Sequence, residues 1–399
     1  MDQLPDDLQR ALDDLPNDLP DDLLLDRLPE DVLLSVMMYM DVPSLLRCRL
    51  VCRRLGTLAL HPDVWRHREC VDSDPWFCAA LRLAPRLYEM HVNLPLPEAL
   101  RRLVLETACP VTCLVVVLGD DEDDSYVAQA AQLIRHQSGL GQLRGVYVRF
   151  SQHEAALLTA PIASELFGTL MSTPDLAQVS IVNRIPESRF PVDISIPAPQ
   201  LAIAPSLTYF ECVPMSPGLT DLCDLMLTRN AATLESVSIY HSLTLRTPSA
   251  MCALGQMPRL EYMACDTFDG MHAVAACPSL RSLDLTVWHA AGSVTAPEDA
   301  TELLRSAHQL TKVVLYYTSH DGCDVQLITA LASSGKSRLE RLSVTDYGNP
   351  DGSLPQLQEL LRALPGLPAL RKLEVRTETK DLQLDVGPNT AEELRSHFI

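Results

Sequence analysis

One phrase recurs along this 399-residue chain: an apolar residue, two variable residues, an apolar residue, one variable residue, an apolar residue. It reads as Leu87-Met90-Val92, Val111-Leu114-Val116, Leu143-Val146-Val148, Leu176-Val179-Ile181, Leu207-Phe210-Cys212 and Leu234-Val237-Ile239. It continues as Leu260-Met263-Cys265, Leu280-Leu283-Leu285, Leu310-Val313-Leu315, Leu339-Leu342-Val344 and Leu370-Leu373-Val375. Eleven copies follow one another at intervals of 20 to 33 residues. The second half of each phrase alternates as a strand does, because successive side chains of a strand point to opposite faces. A unit this small cannot bury its apolar face alone, so neighbouring units must stack to build a continuous core. The first, fourth and sixth residues then point inward. The third, fifth and seventh face the other side of the sheet.

Helix-like segments lie between the phrases, at 96–108, 126–136, 153–171, 219–230, 298–308, 324–332 and 354–364. Proline often precedes the first apolar residue, as at Pro85, Pro174, Pro205, Pro258, Pro278 and Pro368. The phrase and its spacing resemble the leucine-rich repeat. The resemblance implies an α/β solenoid with parallel strands on a concave face and helices on a convex face. The Asn or Cys and further Leu that follow the strand in that family are poorly kept here, which leaves the repeat boundaries open.

Ahead of the array, residues 28–70 read as a compact trio of short helices. Pro29 suits a first helical position, and Glu30 and Asp31 suit the positive end of a helix. Val32, Val36 and Met40, with Leu33 and Met37 beside them, form an apolar stripe at helical spacing. Asp41-Val42-Pro43-Ser44 stops that helix and starts the next. Leu45, Leu46, Leu50 and Val51 carry a second apolar run; Leu55, Leu58 and Ala59 carry a third. Periodicity alone leaves open a helical leader packed on a larger domain. The ordered pattern Leu28-Pro29-Glu30-Asp31-Val32-Leu33, Met40-Asp41, Leu45-Leu46-Arg47, Leu50-Val51-Cys52-Arg53-Arg54 and Pro62-Asp63 with Trp65 resembles the F-box motif. Leu55 departs from it, standing where the family often has an aromatic residue. The resemblance implies docking on a Skp-type adaptor of a cullin–RING ubiquitin ligase. It points to Leu28, Pro29, Val32, Leu33, Met40, Leu45, Leu46, Leu50 and Val51, without separating those that hold the helices together from those that meet the adaptor.

The division expected is an acidic, disordered arm over 1–26, the F-box over 27–72, the repeat solenoid over 73–386 and a capping C-terminal helix over 387–399. Residues 1–31 hold eleven acidic residues and two arginines, close to half of the chain's net charge of −20. Such a balance argues against sequence-independent nucleic-acid binding. No apolar run is long enough to cross a bilayer. Twelve cysteines scattered through apolar runs, with no secretory leader, read as core thiols of a reducing cytoplasm or nucleus. The acidic cluster at 120–124 lacks the ligand spacing and glycine of a calcium loop, so a solvated loop is the preferred reading. The proline-rich stretch 183–205 reads as a projecting loop.

No phosphate-cradling loop, nucleophile elbow or paired-histidine motif occurs, so no catalytic residue, metal or cofactor is assigned. The repeat frame does set Lys312, Arg341 and Lys372 at the third position of the last three phrases, with Arg376 at the seventh of the last. A stacked basic column would suit an acidic or phosphorylated peptide; surface basics neutralised by Glu374 and its neighbours are the alternative. Tyr147, Tyr209, Tyr240, Tyr262 and Tyr316 share that face, as contact anchors or as cross-strand packing. The expected function is substrate recognition for an SCF-type ubiquitin ligase. A repeat scaffold that binds basic proteins independently of any ligase is the alternative.

Overall fold

The structure, a computed structural model, describes residues 28–119, 125–150, 160–183, 204–213, 217–240, 253–287, 296–318, 327–333, 337–346, 354 and 356–398. The acidic arm, the cluster at 120–124 and most of the proline-rich stretch lie outside the described residues.

The chain begins with α1 (Glu30–Tyr39), α2 (Val42–Cys48), α3 (Arg53–Ala59) and the single turn α4 (Pro62–Trp65). Pro29 stands just before α1 and not in its first turn, its carbonyl accepting from Leu33 N at 3.1 Å. Asp41 caps α2 by accepting from Ser44 N at 2.9 Å, one of the donors a helix start leaves unpaired. α2 ends at Cys48, so Leu50 and Val51 fall in the turn that follows instead of extending an apolar helical run. The indole of Trp65, fully buried, donates to Ala59 O at 2.7 Å. Arg68 reaches back to donate to Met37 O and Met38 O at 3.0 and 2.6 Å, at the carbonyl end of α1 where Met40 N also donates to Met37 O. This side chain ties the helices to the strand that comes next.

Thirteen strands then form one sheet in sequence order. They are β1 (Glu69–Val71), β2 (Leu87–Leu94), β3 (Val111–Leu118), β4 (Gly145–Phe150), β5 (Gln178–Asn183), β6 (Tyr209–Val213) and β7 (Ser236–Ile239). After them come β8 (Tyr262–Asp266), β9 (Ser282–Val287), β10 (Lys312–Tyr317), β11 (Arg341–Asp346), β12 (Lys372–Thr377) and β13 (Asp381–Asp385). The eleven strands β2–β12 coincide with the eleven phrases. All thirty-three phrase residues are buried, none more than 6% exposed. Apolar residues at those three positions can be covered only if each strand lies parallel to the last and a layer packs on one face, which gives a solenoid-like α/β arrangement. The covering layer is built of helices such as Glu98–Glu106, Ser125–Gly139, Ala160–Ser172, Pro217–Asn230 and Ala296–Ser306. Between β8 and β9, where the phrases come closest together, a 3-10 helix at Met271–Ala276 takes that place.

Two buried amides brace the turns between units. Gln137 accepts from Val111 N at 3.1 Å and donates to Cys109 O. Asn230 accepts from Ser206 N and Leu207 N and donates to Met226 O. The sheet has ends that the phrase does not announce. β1 pairs with β2 ahead of the first phrase. β13 is antiparallel to β12, because the chain reverses in a tight turn closed by Thr377 N to Lys380 O at 2.7 Å, and so short a connection can join only antiparallel strands. The C-terminal helix Thr390–Phe398 packs on this end through Leu394 and Phe398. No described helix is long and apolar enough to cross a membrane.

Candidate functional site

Two surfaces differ from the rest of the molecule. The first is on the N-terminal helices. Among the described residues seven large apolar side chains are exposed, and five belong to this short unit: Val32 at 40%, Val36 at 48%, Tyr39 at 59%, Leu50 at 81% and Val51 at 69%. Val32, Val36 and Tyr39 recur at helical spacing and share one face of α1. The opposite stripe, Leu33 and Met37, is buried. The single apolar stripe expected on this helix is therefore two: one faces the core and one faces out. Of the nine residues singled out in the sequence, Leu33 and Leu45 are core. Leu28, Met40 and Leu46 are half-buried against it. Pro29, Val32, Leu50 and Val51 are exposed. Tyr39 was not among the nine; its signal was its place seven residues after Val32.

The second surface is the sheet face that the helices leave uncovered. Cα register puts Lys312 beside Arg341 and Arg341 beside Lys372. Strands lie about 4.8 Å apart, so the three cations span about 10 Å in one column. None makes an ion pair with a carboxylate among the described residues. Arg376 differs: it lies 3.8 Å from Glu374 and 3.3 Å from Asp381. The residues of this column line a shallow concavity of about 320 Å³ together with Asp284, Tyr316, Ser343, Thr345 and Glu374.

The tyrosines of this face are mostly engaged. Tyr147 donates to Gln178 Oε1 at 2.5 Å, Tyr209 to Glu211 Oε2 at 3.1 Å and Tyr262 to Asp284 Oδ2 at 3.0 Å. Tyr240 and Tyr316 are half-buried. Burial pushes the Tyr147 and Tyr240 hydroxyls up to about 12, so both stay neutral. Asp284 is the notable carboxylate. Burial raises its pKa, while the Tyr262 hydrogen bond and the Lys312 charge oppose the rise. Its Oδ1, like Ser282 Oγ beside it, is buried with no hydrogen-bond partner among the described residues. The sequence marked Asp284 only as one more variable position; its orphaned oxygen depends on which neighbours pack beside it.

At the other end of the same face, Glu69, Glu89 and His91 bring their ligand atoms within 4.8 Å of one another, and His91 Nε2 contacts Glu89 Oε1. The register sets Glu69 beside Glu89, so two like charges stand on neighbouring strands there.

Residues 25–70 match the F-box-like family model. The match covers the helical unit that bears the exposed apolar residues, and it supports reading the chain as an F-box protein with a possible adaptor-binding role. No curated protein matches the chain.

Proposed function

We propose that this chain is the substrate-receptor subunit of an SCF-type ubiquitin ligase. The N-terminal helices dock on a Skp-type adaptor, and the open face of the array, read as leucine-rich repeats, holds the protein to be ubiquitinated. One observation carries the reading: five of the seven exposed large apolar side chains among the described residues fall within the F-box-like match. Exposed apolar groups concentrated in one small unit mark an interaction surface. The chain's own contribution is proximity, since holding a substrate on one surface and the ligase on another raises the effective concentration of the reacting partners. Ten free cysteines among the described residues suit a reducing cytoplasm or nucleus.

The test mixes the purified chain with a purified Skp-type adaptor and follows both by size-exclusion chromatography. A 1:1 complex at micromolar concentration is expected. Separate elution at that concentration would refute the reading.

A further inference from the structure

The turn between α2 and α3 sets exposed apolar groups among unopposed charge. Leu50 and Val51 are the two most exposed large apolar side chains among the described residues. Arg47 and Arg49 precede or flank them and Arg53 follows, all three exposed. Between Asp41 and Asp63 the chain carries four arginines and no carboxylate. Arg47, Arg49 and Arg53 make no ion pair among the described residues, with Glu30 and Asp31 of α1 or with any other carboxylate. Asp41 feels the charge of Arg47, but it is already engaged in accepting from Ser44 N. Such a surface suits an acidic segment that also carries apolar side chains.

The chain itself supplies one. Residues 1–27 hold nine aspartates, two arginines and eight leucines. Leu4-Pro5-Asp6-Asp7, Leu15-Pro16-Asn17-Asp18 and Leu19-Pro20-Asp21-Asp22 each set a leucine beside acidic side chains, the counterpart of Leu50 and Val51 among arginines. The arm also ends in the right place. Arg54, three residues after Val51, donates to Leu28 O at 2.6 Å, so the arm joins the helices beside the start of α3. Lys312, Arg341 and Lys372 are the rival cations. They lie nine to eleven strands from β1, or about 45–55 Å along the sheet. Roughly fifteen extended residues would serve only to reach them. The turn lies within reach of the whole arm, and short loops close at the least entropic cost.

Building on the reading of these helices as the adaptor-docking unit, we propose that the acidic arm, residues 1–27, seats on Arg47, Arg49 and Arg53 and covers Leu50 and Val51, so that an adaptor must displace it to dock.

The test compares the full-length protein with a full-length variant whose nine arm aspartates are all changed to asparagine. First, with no adaptor present, a fluorescently labelled peptide of residues 1–27 is titrated with the variant and followed by anisotropy. Saturable binding by about 1 mM is expected, because a short tether supplies an effective concentration of that order. Binding should fall about tenfold or more when Arg47→Gln, Arg49→Gln and Arg53→Gln are introduced together, Arg54 being left to hold Leu28. Second, both chains are titrated with a purified Skp-type adaptor. The variant should bind about tenfold more tightly than the parent at low salt, as when nine in ten parent molecules are covered. The gap should close near 1 M salt, where charges are screened within about 3 Å. No saturable peptide binding by about 1 mM, peptide binding unmoved by the arginine changes, or equal measurable adaptor affinity of the two chains at low salt would overturn the inference. Loss of peptide binding in Lys312→Gln, Arg341→Gln and Lys372→Gln combined would place the arm on the sheet face and also overturn it. Adaptor binding by neither chain would refute the docking reading itself, and the peptide titration would still decide whether the arm seats on the arginines.

Discussion

Leu50 and Val51 allow a test in which folding and docking part company. Both lie in the turn after α2 and are 81% and 69% exposed, so the folded chain gains little from their side chains. Truncating Leu50 to alanine removes three carbons and Val51→Ala removes two. At roughly 0.8 kcal/mol per buried carbon, scaled by those exposures, docking should lose about 2 and about 1 kcal/mol, or together a Kd weakened roughly a hundredfold. The thermal midpoint should stay where it is. Leu45→Ala is the contrast. Leu45 is 1% exposed, and emptying such a core position costs about 2–5 kcal/mol of folding stability. That variant should melt earlier and bind the adaptor poorly for that reason. The assay is calorimetric titration of the adaptor into each variant, paired with a thermal melt. If the double variant binds within threefold of the parent chain while its melt is unchanged, these exposed residues are not the docking surface and the reasoning fails.

Three further outcomes are expected. Asp284→Asn should raise the melting temperature at neutral pH: a carboxyl whose folded pKa is raised contributes stability at low pH and loses it as pH rises through that pKa. The advantage of the amide should vanish in melts taken below the ordinary carboxylate range, and an advantage that persists there would count against the burial argument. In the native protein at pH 8, an alkylating reagent should modify the exposed Cys78 and spare Cys109, whose thiol burial pushes up to about 12; peptide mass spectrometry reads both. Gly255→Ala should destabilise by about 1–3 kcal/mol, because a Cβ there would meet Ala273 O at 2.6 Å, while Gly139→Ala, with open space around it, should be neutral by thermal unfolding.

Much of the architecture was legible because a strand's period of two and a repeat's fixed frame are local properties. The phrase located β2–β12, assigned each residue to a face, and set Lys312, Arg341 and Lys372 side by side, as the strand register has them. β1 escaped because it is three residues long and lies ahead of the first phrase. β13 escaped because its alternating Leu382 and Leu384 belong to a hairpin, which a parallel repeat frame does not anticipate.

The site was legible in outline only. Helical periodicity shows that α1 has apolar residues on its faces; it does not say which stripe the fold covers. Packing against α3 and α4 buries Leu33 and Met37 and turns Val32, Val36 and Tyr39 outward. Charge followed the same rule. The sequence alone determined that three cations share a column. Only the tertiary structure decided that β13 brings Asp381 to Arg376, that Lys312, Arg341 and Lys372 make no ion pair among the described residues, and that Asp284 keeps one oxygen unmet. Facing and spacing follow from the local geometry of a strand, whereas neutralisation and burial depend on residues distant in the chain that the fold alone brings together.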